Sequence, residues 1–331
     1  MKLGLGIKSD DFGDDILHYA AQLGVTHVVL RGPSFGERGF HEAPAMAETR
    51  SKIESFGLKW EAIENLPGDQ WDDILRAGDR REQQMDGVCR TIENMGEVGV
   101  PILGYYFSIS SVEGHWRAYD QGGGRGGSHI KSFDIDRMPE RPDYPDAPVS
   151  VDEMWERLQW FLERAVPVAD SAGVKLAAHQ DDPPIEMLRG TGRLLTSHDA
   201  MQRLIDLVPS PSNGLEFCQG TVAEMGTDKA VDAVRRFAGQ GKIFYVHFRN
   251  VIGQFPRFDE VFIDEGDVDM FEAMTAYRDA GYDGVLIPDH CPYMHGTEGY
   301  RYRGMAFSLG YMRALMQVVD RVRAYQPRGE Q

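Results

Sequence analysis

Short runs of aliphatic and β-branched residues alternate eight times with longer stretches of helical periodicity along this chain, and few architectures accommodate that rhythm. The apolar runs fall at 3–7, 25–30, 59–63, 101–107, 174–178, 215–218, 243–248 and 284–288. Helical patterns follow them at 12–22, 44–55, 79–98, 151–172, 197–207, 227–238, 267–280 and 305–324. Local punctuation agrees: Gly24 ends the first helix, Pro44 suits a first helical turn, and Ser150 is a cap before the 151–172 helix. A strand that crosses over through a helix before pairing again runs parallel to its predecessor, with a right-handed connection. Eight such units predict an α/β fold, a closed (β/α)8 TIM barrel, with its site on the loops beyond the strand C-termini.

One segment breaks the rhythm. Residues 108–148, rich in Gly and Pro, are expected to form an insertion after strand 4, a mobile excursion over the barrel mouth. It carries Gly122-Gly123-Gly124-Arg125-Gly126-Gly127-Ser128, which follows no clear strand and lacks the Lys-Ser/Thr ending of a phosphate loop. No repeat or linker divides the chain, so 1–331 reads as a single barrel domain.

Charge narrows the partners. The 331 residues hold 35 Lys+Arg against 52 Asp+Glu, a formal net charge of −17. That field repels nucleic acid, and a small anionic substrate would need a local cation, either a metal or an arginine. No apolar run approaches the roughly 18 residues of a membrane span, and the opening Met1–Lys8 run is too short for a secretion signal. Cys89, Cys218 and Cys291 are odd in number and far apart, which suits reduced thiols in the cytoplasm rather than a disulfide framework.

Four residues stand at or just past the ends of the last four strands: His179, Cys218, His247 and Asp289. Taken singly, each has an ordinary reading as a rim residue, a buried small hydrophobe or a helix cap. Taken together, a parallel barrel brings those ends onto one rim. Two imidazoles, a thiolate and a carboxylate suit a divalent transition ion such as Mn²⁺, Fe²⁺, Co²⁺ or Zn²⁺, whereas Mg²⁺ and Ca²⁺ favour oxygen donors.

The strings around these residues resemble those of the mannonate dehydratase family, within the xylose-isomerase-like barrels. His179-Gln180-Asp181-Asp182-Pro183-Pro184 is similar to the family's His-Pro-Asp-Asp-Pro-Pro, and Phe217-Cys218-Gln219-Gly220-Thr221 to its Phe-Cys-x-Gly-Ser/Thr. His247-Phe248-Arg249-Asn250-Val251 matches directly, and Pro288-Asp289-His290 followed by Gly299-Tyr300 is similar to the family's last motif. Weaker likeness extends to Trp60–Pro67 and Gly310–Met312. Departures are Gly68-Asp69 where the family has a His, Gln180 for Pro, and Ile287 for a frequent Arg.

The resemblance implies Mn²⁺, or Fe²⁺ or Co²⁺, on His179, Cys218, His247 and Asp289, and dehydration of D-mannonate to 2-keto-3-deoxy-D-gluconate. It implies Tyr300 as acid or base, with His290 as a second proton-transfer candidate or a support for its metal-binding neighbour. Arg249 offers a fork for the sugar-acid carboxylate, with a salt bridge to Asp181 or Asp182 as the alternative. Asn250, Asp181, Glu64, Trp116 and Arg117 complete the expected substrate contacts. A homo-oligomer, dimer or tetramer, is expected of such barrels. Two other readings stand beside this one. A metal-dependent sugar isomerase or epimerase would keep the barrel and ion, and a non-catalytic sugar-acid binder would keep only the pocket.

Overall fold

The computed structural model describes residues 1–117, 123–295 and 300–325, with side chains at all of these except 116, 117, 300, 301 and 323–325. Eight parallel strands close into a barrel: β1 (Lys2–Lys8), β2 (His27–Arg31), β3 (Lys59–Glu64), β4 (Ile102–Tyr105), β5 (Lys175–His179), β6 (Asn213–Cys218), β7 (Ile243–His247) and β8 (Val285–Ile287). Each strand pairs with its sequence neighbours, and β8 closes back onto β1 through Lys2 opposite Val285. The TIM barrel expected from the eight-fold alternation is therefore present.

Helices wrap the outside: α1 (Asp14–Gln22), α2 (Ala43–Ser55), α3 (Gly68–Arg76), α4 (Arg81–Val98), α5 (Val151–Ala172), α6 (His198–Leu207), α7 (Gln219–Glu224), α8 (Ala230–Gly239), α9 (Met270–Asp279) and α10 (Tyr300–Tyr325). Their ends follow from local chemistry. Ser150 and Glu153 form a reciprocal capping box at the start of α5, which ends on left-handed Gly173. Asp269 accepts the amides of Phe271 and Glu272 at 2.9 Å each to start α9. Two helices were not expected. In α3, polar residues and Gly68 mask a face of Trp71, Ile74 and Leu75 that is buried. The short α7 is buried along its whole length, so it shows no amphipathic period.

Inside the barrel, Val29, Ala62, Ile102, Ala177, Phe244, Tyr245, Val285 and Ile287 form a small apolar plug. Packing here leaves little room. A methyl at Gly104 would come 2.2 Å from the Tyr245 hydroxyl and 2.8 Å from a Glu216 carboxylate oxygen. Ile287, at a position where the family often has Arg, belongs to this plug and is fully buried.

The excursion is more ordered than its composition suggests. It supplies strands at Trp116–Arg117 and Lys131–Asp134, which join a hairpin of Val251–Gln254 and Arg257–Glu260 in a four-stranded antiparallel sheet. Lys131 lies opposite Glu260 and Phe133 opposite Phe258. The glycine-rich stretch is pinned at Arg125, which pairs with Asp264 at 2.9 Å and lies over the Phe262 ring at 4.5 Å. Gly122 of that stretch lies outside the described residues.

Candidate active site

Strand register assembles the site. In a parallel barrel, residues paired across adjacent strands stand at one height. His179 on β5 pairs with Glu216 on β6, Cys218 on β6 with His247 on β7, and His247 with Ile287 on β8, two residues before Asp289. Because side chains alternate along a strand, Glu216 and Cys218 share a face. Donor atoms of His179, Cys218 and His247 consequently lie within 4.8 Å of one another. Asp289 approaches the same point, its Oδ2 3.6 Å from His247 Nδ1.

Each imidazole is aimed by a bond to its other nitrogen. His179 Nδ1 donates to the Gln180 carbonyl at 2.6 Å, which leaves Nε2 as the open donor atom. His247 Nε2 is held between Glu216 (2.9 Å) and Glu64 (3.1 Å), and its buried Nδ1 has no hydrogen-bond partner among the described residues. A buried nitrogen with no bond, facing a thiol and a carboxylate, is the arrangement a divalent ion would complete. The thiol fits as well. Burial opposes ionisation of Cys218, but the Arg249 charge and the neighbouring His179 and His247 imidazoles outweigh it and hold the thiol well below its usual range. Burial likewise opposes a charge on His179, yet the bond to Cys218 and the Glu216 carboxylate raise it to about 9. Metal binding to these donors would be accompanied by proton release.

Gln180, which departs from the family's Pro, braces the site. Its side chain accepts from the Cys218 amide at 2.7 Å and donates to the Glu216 carbonyl at 3.0 Å, locking β6 beside β5. Arg31, at the end of β2, is a further residue that the motifs did not single out. It contacts Glu64 at 3.0 Å and Asp289 at 3.1 Å. Its signal was available: a charged residue closing an apolar strand faces the rim, as Glu64 does on β3.

Three expected substrate contacts already have partners within the protein. The Arg249 fork is already occupied by Asp182 (2.8 Å) and Glu224 (2.9 Å), with Asp289 at 3.3 Å. The Asp182 alternative for Arg249 is thus the observed one. Asp181 accepts from Arg193 at 3.0 Å and from the amides of Leu194 and Leu195, so it anchors its own loop. Asn250 spends both ends of its amide on backbone at Val251, Ile263 and Val268. Glu64 does reach the site, through His247 and Arg31.

His290 lines a cavity with Asp289 and Arg31, about a quarter exposed, with Nδ1 2.8 Å from Glu260 and Nε2 3.1 Å from Lys131. His115 of the excursion lies 3.1 Å from Asp182 and 3.8 Å from Glu260, tying the accessory sheet to the barrel. Nothing in the sequence announces these contacts, because they join segments remote along the chain. Trp116 and Arg117 occupy the edge strand of the accessory sheet, but their side chains lie outside the described residues. Tyr300 opens α10, and its side chain, with Gly299 of the same motif, also lies outside them.

Comparison with known proteins agrees with this geometry. The family model described as D-mannonate dehydratase (UxuA) matches residues 14–144 and 142–326. The mannonate dehydratase of Thermotoga maritima is 27% identical over 319 residues, covering 86% of this chain and 87% of that protein. Mannonate dehydratase 2 of Halalkalibacterium halodurans is 27% identical, covering 82% and 86%. In fold, the crystal structure of mannonate dehydratase from Streptococcus suis superposes with a TM-score of 0.86 at 23% identity, over 99% of this chain and 97% of that one. A D-psicose 3-epimerase from Clostridium cellulolyticum shares the barrel at a TM-score of 0.63 and 15% identity, covering 96% and 99%. The chain belongs to the mannonate dehydratase family.

Proposed function

We propose that this protein, acting as one barrel over its whole length, removes water from D-mannonate, or a closely related aldonic acid, to give 2-keto-3-deoxy-D-gluconate. The observation that carries the proposal is the convergence of half-buried His179 with buried Cys218 and His247, with Asp289 beside them and the His247 Nδ1 unsatisfied. These four residues would hold Mn²⁺, Fe²⁺ or Co²⁺. Such an ion, when bound, stabilises negative charge that builds on the substrate carboxylate as the neighbouring carbon loses its proton.

The chain's own groups do the rest. A base takes the C2 proton, the electron pair forms the C2–C3 double bond, and the C3–oxygen bond breaks. An acid delivers a proton to the departing hydroxyl, which leaves as water, and the enol tautomerises to the ketone. We assign one of these transfers to His290, which is partly exposed in the cavity and oriented through Nδ1 by Glu260. Tyr300, on the matching motif, takes the other. Arg249 acts through the thiol: its guanidinium, not hydrogen-bonded to Cys218, favours the thiolate that a metal needs.

The free cysteines at 89, 218 and 291 support a cytoplasmic setting, and no described helix is long and apolar enough to cross a membrane. A dimer or tetramer is the assembly we expect. The test is incubation of Mn²⁺-, Fe²⁺- or Co²⁺-loaded protein with D-mannonate and assay for the 2-keto-3-deoxy acid. Formation of that acid supports the proposal, and no product with any of the three ions rejects the substrate. Interconversion of ketoses instead would assign an epimerase.

A further inference from the structure

Resting on that proposed function, we infer that Lys131, supplied by the excursion, is the residue that recognises the carboxylate of the sugar acid. The cavity beside Asp289 and His290 has a volume of about 180 Å³, and its lining includes Lys8, Arg31 and Lys131. The large cations around it are already neutralised. Arg31 is paired with Glu64 and Asp289, and Arg249, deeper in, with Asp182 and Glu224. Lys131 differs from both. It forms no ion pair among the described residues, and its Nζ contacts only the His290 ring nitrogens, at 3.1 and 3.2 Å.

An ammonium carries three donors and no acceptor. His290 Nδ1 lies 2.8 Å from Glu260, so Nε2 is the nitrogen that accepts from Lys131, and a single ammonium proton is used. The remaining donors have no acceptor among the described residues. Glu260, opposite Lys131 in the sheet register, has one oxygen engaged by His290 and the other without a hydrogen bond, and it forms no ion pair with Lys131. In a chain of net charge −17, an unpaired lysine in a cavity next to a proton-transfer residue is an anion site. Its placement matches the chemistry. The carboxylate it holds stands one carbon from the C2 proton, beside His290 and at the mouth of the donor cluster.

The excursion thereby acquires a role in specificity. Pairing of Lys131–Asp134 with Arg257–Glu260 and with Trp116–Arg117 is what carries the lysine to the rim. An aldonic acid would be distinguished from a neutral sugar by this strand, while the metal donors come from the barrel.

The experiment compares binding of D-gluconate, the C2 epimer of D-mannonate, with that of its neutral amide, D-gluconamide. Metal-loaded wild type, Lys131→Met and Lys131→Arg are each titrated by calorimetry. Wild type is expected to prefer the acid, Lys131→Met to lose roughly ten- to a hundredfold of that preference, and Lys131→Arg to regain most of it. KM for D-mannonate should rise in Lys131→Met by a similar factor, with a smaller change in kcat. Thermal melts of the variants check that the fold is retained. An unchanged acid-to-amide ratio in Lys131→Met, while wild type still dehydrates D-mannonate, overturns the lysine assignment and leaves the proposed function intact. Preference for the acid that depends on Lys131, in a wild type that turns over no aldonate, would support the site and reject the reaction. Equal affinity of wild type for acid and amide overturns the assignment outright.

Discussion

Replacing Arg249 with Met separates two roles that its motif leaves open. The guanidinium is buried and lies 2.8 Å from Asp182 and 2.9 Å from Glu224. Breaking a buried ion pair by removing one partner costs about 3–5 kcal/mol, because the other charge is stranded away from water. Asp182 keeps His115 at 3.1 Å, and burial with neighbouring acids pushes the Glu224 carboxyl well above its usual range, which favours its uncharged form once the arginine is gone. Both facts favour the lower end, about 3 kcal/mol. Unfolding entropy near ~2.1 cal/mol/K per residue, over 331 residues, gives roughly 0.7 kcal/mol per degree, so the melting temperature should fall by about 4 °C. Calorimetry on metal-stripped Arg249→Met and wild type measures this directly. Metal affinity should fall as well, since the same charge favours the Cys218 thiolate. A variant that melts within 1 °C of wild type, binds metal normally and loses only affinity for the sugar acid would refute the reasoning. It would restore Arg249 as a substrate clamp.

Two further perturbations probe the scaffold. Gly104→Ala should lower stability by about 1–3 kcal/mol and weaken metal binding, because its methyl must displace Tyr245 and Glu216, the carboxylate that orients His247; denaturant unfolding and a metal titration check both. His41 is fully buried, with neither ring nitrogen bonded, and burial lowers its pKa from 6.5 to about 4. The unfolded chain therefore takes up this proton first. Stability contributed by neutral His41 is complete above pH 6.5 and falls by about 3 kcal/mol as pH drops to 4. His41→Leu should remove that slope, seen as a smaller loss of unfolding free energy between pH 7 and 4 than in wild type.

The strand-end donors were legible because alternation along a strand dictates which residues face inward. His179, Cys218 and His247 each close a run of apolar residues, and a parallel barrel can place such ends only on one rim. Past the last strand residue that logic stops. Arg249, Asn250 and Asp181 stand two or three positions beyond a donor, where loop geometry, not alternation, sets direction, and all three bond to the protein's own framework. Gln180 shows the converse: a departure from the family motif that serves as a brace between β5 and β6. The accessory sheet was illegible for another reason. Lys131 and Glu260 meet only through antiparallel pairing of segments on either side of three barrel strands, and neither segment has a strong period of its own. The described part of the excursion forms strands and lends Lys131 to the cavity lining.

The central claim is that one divalent transition ion is bound jointly by nitrogen, sulfur and oxygen donors at the barrel mouth. The most direct measurement is metal analysis of wild type and Cys218→Ser, purified without chelators and then loaded with Co²⁺. We expect one ion per chain in wild type, with a sulfur-to-cobalt charge-transfer absorption. We expect that band to be absent from Cys218→Ser, whose affinity should be at least about tenfold weaker. A wild type that binds no ion, or a Cys218→Ser variant with the same absorption and affinity, would contradict the account.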